Sequence, residues 1–199
     1  MSIGFVFSSA STKIGAPIEI WSALAPTIRA FSNRVIFGGP TFIFCSDHWL
    51  FPQGKKGAHT DLSAYRIPII IYEPAKPEKK LISKTVSQFD ILGTVLSVAG
   101  YRDSIISFGN NLLDPNLADE VVFTKVNASL FQAIDSSWIL GYNSNNNTTE
   151  FLYNYKLDKT LSRNLVNDKK SQLRSIYLGN EVKAFLQKAK MQSSGALFK

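Results

Sequence analysis

An aspartate and a histidine stand side by side where an apolar segment ends and a polar loop begins. Asp47 and His48 follow the apolar run 41–45, and the loop after them contains Gly54 and Gly57. A carboxylate and an imidazole are suitable ligands for hard and borderline divalent cations. In open α/β sheets, ligand sites gather at the carboxyl ends of the strands. The pair could therefore form part of a metal site, or it could simply begin a loop, as most adjacent Asp-His pairs do.

Two short apolar segments are expected to be the strands that position this pair. Residues 41–45 and 67–72 are almost entirely apolar, which is typical of parallel strands that are covered on both faces. We expect them to be parallel neighbours in one sheet, with Asp47 and His48 at its carboxyl edge. The single cysteine, Cys45, lies in the first strand and is expected to be an inert thiol in the core.

The clearest helix signal follows these strands. Ser87 and Asp90 have the spacing of a capping box, and Gly100 is placed to end the helix. Between them, Leu92 and Val95 belong to one apolar stripe at helical spacing. The order strand, loop, strand, helix predicts an α/β layer.

Beyond residue 115 the pattern changes to short strands that are divided by turns, which predicts an antiparallel meander. The terminal segment carries Leu178, Val182, Phe185 and Ala189 at the spacing of an amphipathic helix. Residues 1–22 show no clear periodicity and are expected to form an arm. The candidate strands of the meander are 121–123, 130–134, 137–142 and 150–153.

Several short motifs follow one another in a characteristic order. They are Ser46-Asp47-His48, Arg66-Ile67-Pro68, Ser87-Gln88-Phe89-Asp90 and Phe108-Gly109-Asn110. This order resembles the second half of the sulfatase and alkaline-phosphatase-like superfamily, most closely its lipoteichoic acid synthase and phosphoglycerol transferase branch. The chain departs from the family pattern twice, with Trp49 in place of the usual Gly and Gly93 in place of the usual Pro.

The resemblance implies a fold and its division along the chain. The fold would be a partial alkaline-phosphatase-like parallel sheet layered by helices, with a small C-terminal antiparallel β element and a terminal helix. Residues 23–199 would form this part of a sulfatase-like domain, after the arm 1–22. The implied subdivision is 23–115 for the α/β part, 116–165 for the antiparallel β part and 166–199 for the terminal helix and tail.

The resemblance also implies a metal-dependent chemistry. Members of the superfamily split phosphate or sulfate esters with a Thr, Ser or modified Cys nucleophile, which one or two divalent cations activate. Carried over by position, Asp47 and His48 would be metal ligands. The cation would be Mn²⁺, Zn²⁺ or Mg²⁺, because these metals accept carboxylate and imidazole ligands.

Two further residues are candidates for contact with an anionic ester substrate. By the resemblance, His59 would contact the ester anion, and Arg66 could face the same site. Each has an alternative: His59 could be a solvent-exposed loop residue, and Arg66 could form an edge salt bridge with Asp61 or Glu73.

The catalytic set is expected to be incomplete. In the resembled family the nucleophile and an acidic ligand precede the Asp-His pair in a longer N-terminal part, whereas 46 residues precede Asp47 here. We expect part of a sulfatase-like phosphoglycerol transferase or ester hydrolase that is inactive alone, with a separately encoded N-terminal half as a candidate partner. One alternative is a non-catalytic binding module derived from that family, and another is an unrelated basic α/β protein.

Composition limits the remaining classes. With 199 residues, 45% hydrophobic and 12% aromatic, the chain is expected to be one globular domain. Its net charge of +7 is spread without a dense basic block, which favours solvated surface charge over nucleic-acid binding. We expect neither a signal peptide nor a membrane-spanning segment, although the resembled branch is membrane-anchored with an extracytoplasmic domain.

Overall fold

The computed structural model describes residues 4–7, 41–46, 67–73 and 81–194. The described residues form two compact units by themselves, one that extends to Ala118 and one that begins at Asp119.

The first unit contains a four-stranded mixed sheet in the order β2-β3-β1-β4. β1 is antiparallel to β3 and parallel to β4, and β2 is antiparallel to β3. The core beside this sheet consists of Ile69, Ile71, Ile82, Val86 and Leu112. The strands are β1 (Gly4–Phe7), β2 (Phe42–Cys45), β3 (Pro68–Tyr72) and β4 (Leu81–Ile82).

The prediction that the segments 41–45 and 67–72 are parallel neighbours is wrong. They are neighbours, but they pair antiparallel, with Phe42 opposite Tyr72 and Cys45 opposite Ile69. An unbroken apolar run indicates burial, but it contains no information on strand direction, which the intervening connection sets. Pro68 is the first residue of β3, a position where a missing N–H is tolerated.

Two further expectations for this sheet are also wrong. β2 is the outer strand of the described sheet and is only half buried, so Cys45 at its end is exposed rather than packed in the core. β1 lies within the segment 1–22, which was expected to be an arm, and pairs with strands on both sides. A single run of four residues is too short for periodicity to distinguish a strand from an arm.

Helix α1 (Asp90–Val98) confirms the predicted helix, and Gly100 ends it with a positive φ of 77°. The predicted apolar stripe of α1 faces solvent, whereas amphipathicity predicts that it faces the core. Leu92 and Val95 are exposed, whereas Asp90 and Thr94 are buried. Periodicity shows which side chains share a face, but not which face the rest of the unit covers.

The second unit confirms the antiparallel meander and the terminal helix. Its four strands are consecutive neighbours, and each is antiparallel to the next. The helix α2 follows a short 3₁₀ turn at Lys169–Ser171. The elements are β5 (Val122–Lys125), β6 (Leu130–Ile134), β7 (Trp138–Asn143), β8 (Thr148–Asn154) and α2 (Gln172–Ser193).

α2 packs its predicted apolar face on this sheet. Leu178 and Val182 are fully buried in one cluster with Ala133, Leu140, Tyr142 and Leu152, and the rings of Phe123 and Phe185 stack with 4.5 Å between centroids. Among the described residues, no helix is both long enough and apolar enough to cross a membrane.

Candidate functional site

The predicted ligand pair comes directly after the end of β2. Ser46 is the last described residue of that segment. Asp47, His48, His59 and Arg66 all lie outside the described residues, so their roles remain predictions. The structure does describe the end of β2, up to Ser46, and the interactions that hold it.

Two interactions hold the end of β2. The Ser46 N–H donates to the Pro68 carbonyl oxygen over 3.4 Å, which extends the β2–β3 ladder by one residue. The Gln88 side-chain amide donates to the Ser46 carbonyl oxygen, with 2.8 Å between Nε2 and O. Gln88 therefore fixes the peptide that joins Ser46 to Asp47. This role of Gln88 is not evident from the sequence, although Gln88 occupies a fixed position in the Ser-Gln-x-Asp motif.

Asp90 connects the start of α1 to a distant loop. Its Oδ2 accepts the Ser87 N–H over 2.5 Å, and its Oδ1 accepts the Asn110 N–H over 2.7 Å. The carboxyl group is buried, where hydrogen bonds to an ionised group are stronger than neutral ones. The motif around residues 87–90 and the motif around 108–110 are thus one structural piece.

Thr94 and Gly109 complete this piece. The Thr94 hydroxyl donates to the Asp90 carbonyl oxygen over 2.7 Å and accepts the Leu112 N–H over 2.9 Å. A Cβ at Gly109 would overlap the backbone of Phe89 and Asp90, so only glycine allows the loop to lie against the helix start. Cap and packing interactions therefore account for these motif residues without assigning them chemistry.

The backbone near Asn110 also lies close to Gly93, the position where the resembled family has Pro. A Cβ at Gly93 would lie 3.0 Å from the backbone carbonyl carbon and oxygen of Asn110. The loop that Asp90 ties down thus approaches α1 closely at a second point.

The loop after β8 has a structural role of its own. The Asp158 carboxylate accepts the Arg163 N–H over 2.8 Å, and this bond is the main cause that lowers the pKa of Asp158 below its usual 3.8. Any stability gained from this bond is present above that value and is lost as the pH falls through the lowered pKa. Asn164 accepts the Leu152 N–H over 3.0 Å and so holds the loop against β8.

The donor set for a metal is only partly defined. Within the segments that the structure describes, no three His, Cys, Asp or Glu side chains come together. Asp47 and His48 fit a divalent cation by their chemistry, because they offer one carboxylate and one imidazole. A catalytic metal usually has three protein ligands, so this pair alone is a partial site.

Comparison with known proteins finds one matching family model and several similar solved structures. The sulfatase family model matches residues 40–101. A phosphonate monoester hydrolase from Silicibacter pomeroyi aligns with a TM-score of 0.60 and 15% identity, covering 84% of this chain and 37% of that one. A candidate sulfatase from Bacteroides thetaiotaomicron aligns with a TM-score of 0.48 and 16% identity, covering 64% of this chain and 31% of that one. No curated protein matches the sequence.

The alignment with the phosphonate monoester hydrolase shows an alkaline-phosphatase-like fold and confirms the predicted fold class. Residues 40–101, the segment that matches the sulfatase family model, include all of β2, β3, β4 and α1. The chain spans 37% of the length of the phosphonate monoester hydrolase. Neither solved structure comes from the lipoteichoic acid synthase branch by its description, so that narrower assignment stays a prediction.

Proposed function

We propose that this chain supplies the Asp-His metal-binding part of a sulfatase-like hydrolase of phosphate or sulfate esters. The observation that carries the proposal is the bond from Gln88 to the Ser46 carbonyl. It joins two parts of the sulfatase-like segment, the strand end before Asp47 and the start of α1. The backbone that enters the predicted ligand pair is therefore fixed by the same helix start that the family motif marks.

The proposed chemistry follows from the types of the side chains. A divalent cation at such a site lowers the pKa of a bound oxygen nucleophile and offsets the negative charge of the ester. Asp47 would contribute a carboxylate and His48 a neutral imidazole to hold Mn²⁺, Zn²⁺ or Mg²⁺. His59 and Arg66 would contact the ester anion, because each can donate hydrogen bonds to its oxygens.

The proposal leaves the nucleophile outside these 199 residues. An N-terminal half of the domain would supply it together with the remaining metal ligands, and these 199 residues alone would be inactive. The narrower assignment, transfer or hydrolysis of a phosphoglycerol group, rests on the order of the sequence motifs. The shared substrate class is an anionic phosphate or sulfate ester.

Metal binding tests the central claim. We expect Mn²⁺ or Zn²⁺ to bind weakly to the chain and the double substitution Asp47→Ala with His48→Ala to abolish this binding, because both proposed ligands are then lost. Titration calorimetry measures the effect, and Asp114→Ala, which removes an exposed carboxylate from a turn, is the matched control. Equal binding by the double variant would remove the site.

A second prediction concerns Gln88, whose loss should weaken metal binding without abolishing it. Gln88→Leu keeps the size of the side chain but removes the donor to the Ser46 carbonyl, so the peptide before Asp47 loses its anchor. We expect metal affinity to fall by about tenfold, as is usual when a residue that orients a ligand is lost. Gln187→Leu, on an exposed position of α2, should leave the affinity unchanged. An unaltered affinity in Gln88→Leu would mean that this bond does not position the ligands.

One observation favours a second candidate function, that of a non-catalytic binding module. α1 and the residue before it present Phe89, Leu92, Val95 and Val98 to solvent, and an exposed apolar face of this kind is typical of an interaction surface. Turnover of an ester by a reconstituted protein would favour the hydrolase. Stable partner binding through this face without any turnover would favour the module.

A further inference from the structure

Two leucines are far more exposed than the other large apolar side chains of the described segments. Leu157 is 86% exposed in the turn after β8, and Leu173 is 83% exposed in the first turn of α2. Side chains exposed to this extent add little to the core, so their apolar surface is available to an external partner. Ile176 and Tyr177 lie one turn along α2 from Leu173 and are also exposed.

Both leucines lie at the same end of the second sheet. The Tyr155 N–H donates to the Ser137 carbonyl over 3.0 Å, and its hydroxyl donates to the Asp135 carbonyl. On the helix side, the Arg174 guanidinium lies 3.4 Å from the Asp135 carboxylate, measured from Nη1 to Oδ2. Residues 155–157 and 173–174 are therefore anchored to the same β6–β7 turn.

Hydrogen bonds to the Asp135 side chain stabilise this β6–β7 turn. The Asp135 carboxylate accepts the N–H groups of Ser137 and Trp138, each over 2.7 Å. Both Asp135 and Tyr155 are buried. The two leucines thus project from a rigid end of the sheet.

The segment that carries these leucines is strongly basic. Residues 156–174 contain six basic and two acidic side chains, a net charge of +4. Both carboxylates turn back to their own loops: Asp158 accepts the Arg163 N–H, and Asp168 accepts from the Ser171 N–H and hydroxyl over 3.1 and 2.8 Å. The exposed basic side chains are Lys156, Lys159, Arg163, Lys169 and Lys170.

We propose that this end of the second unit, residues 156–174 with Leu157 and Leu173 at its surface, binds an anionic lipid bilayer. Exposed apolar side chains among lysines and arginines are the combination that lies in a membrane interface, with the leucines in the acyl boundary and the cations at the headgroups. Duplex DNA would use the basic groups, but its charged backbone offers no extended apolar layer that would bury both leucines. The proposal is independent of the ester hydrolase function.

Vesicle sedimentation tests the proposal with the full chain. We expect binding to phosphatidylcholine vesicles that contain phosphatidylglycerol, much weaker binding to phosphatidylcholine alone, and loss of binding as salt is raised. Leu157→Ser with Leu173→Ser should lower the partition coefficient at least about tenfold, since two apolar side chains leave the interface. Ile105→Ser with Ile106→Ser, which removes two exposed apolar residues from the segment after α1, should bind like the unmodified chain.

A charge variant gives the second arm of the test. Lys169→Glu with Lys170→Glu should also lower binding more than tenfold, because each basic residue near an anionic surface contributes about fivefold. Acidic residues at a helix start are favourable, so this variant should fold, which circular dichroism verifies. Equal vesicle binding by the leucine variant, or binding to duplex DNA without binding to vesicles, would overturn the proposal.

Discussion

Substitution of Asp90 by alanine is expected to destabilise the first unit by about 3 kcal/mol. Its carboxylate accepts the N–H groups of Ser87 and Asn110 in a buried setting. The substitution leaves both donors without this acceptor, and hydrogen bonds to a charged group contribute about 1.5–3 kcal/mol each. The effect would detach the loop around residues 107–113 from the start of α1.

Hydrogen exchange of peptides within residues 87–112 measures this loss where it arises, because the second unit can stay folded. Asp114→Ala is the control, since its carboxylate accepts one N–H in an exposed turn. We expect that control to cost less than about 0.5 kcal/mol. A loss below about 1 kcal/mol in Asp90→Ala would show that the two backbone donors find other acceptors.

The second large effect concerns activity. The 199-residue chain alone is expected to hydrolyse phosphomonoesters, phosphodiesters and sulfate esters no faster than metal-containing buffer does. Covalent ester chemistry needs an activated hydroxyl or thiol beside the metal. Thr41 precedes the first residue of β2, whereas the Asp-His pair follows its last residue. Ser46 occupies a variable position of the motif. Neither hydroxyl is therefore expected to replace the nucleophile.

Chromogenic esters with Mn²⁺, Mg²⁺ or Zn²⁺ provide the measurement, and Asp47→Ala is the comparison. Turnover that survives repurification and disappears in Asp47→Ala would contradict the expectation of an incomplete site. Activity that appears only after addition of an N-terminal polypeptide carrying the nucleophile would support the proposed partner.

The elements with repeated local signals were predictable from the sequence. α2 has Leu178, Val182 and Phe185 at helical spacing, and the meander has several short strands with turns between them. Such patterns are read within one element, because a helix or a hairpin is formed by neighbours in the chain. The motif order also indicated the alkaline-phosphatase-like fold.

The relative direction of the strands and the side of a helix that is buried were not predictable in the same way. β2 and β3 have the composition of buried strands, yet they pair antiparallel and β2 is the outer strand of the described sheet. Likewise, the stripe of α1 that contains Leu92 faces solvent while Thr94 is buried. Each of these features depends on contacts between distant segments, about which a local pattern contains no information.

The sequence by itself determined the chemical types at the candidate site, a carboxylate and an imidazole after an apolar strand. Only the tertiary structure decided what holds that strand end, because Gln88 reaches Ser46 across 42 positions of the chain. The same holds for the bond from the Asn110 N–H to Asp90, because these two residues belong to separate motifs. A buried carboxylate is stable only where donors reach it; residue spacing indicates the neighbouring Ser87, whereas only the fold brings Asn110 to it.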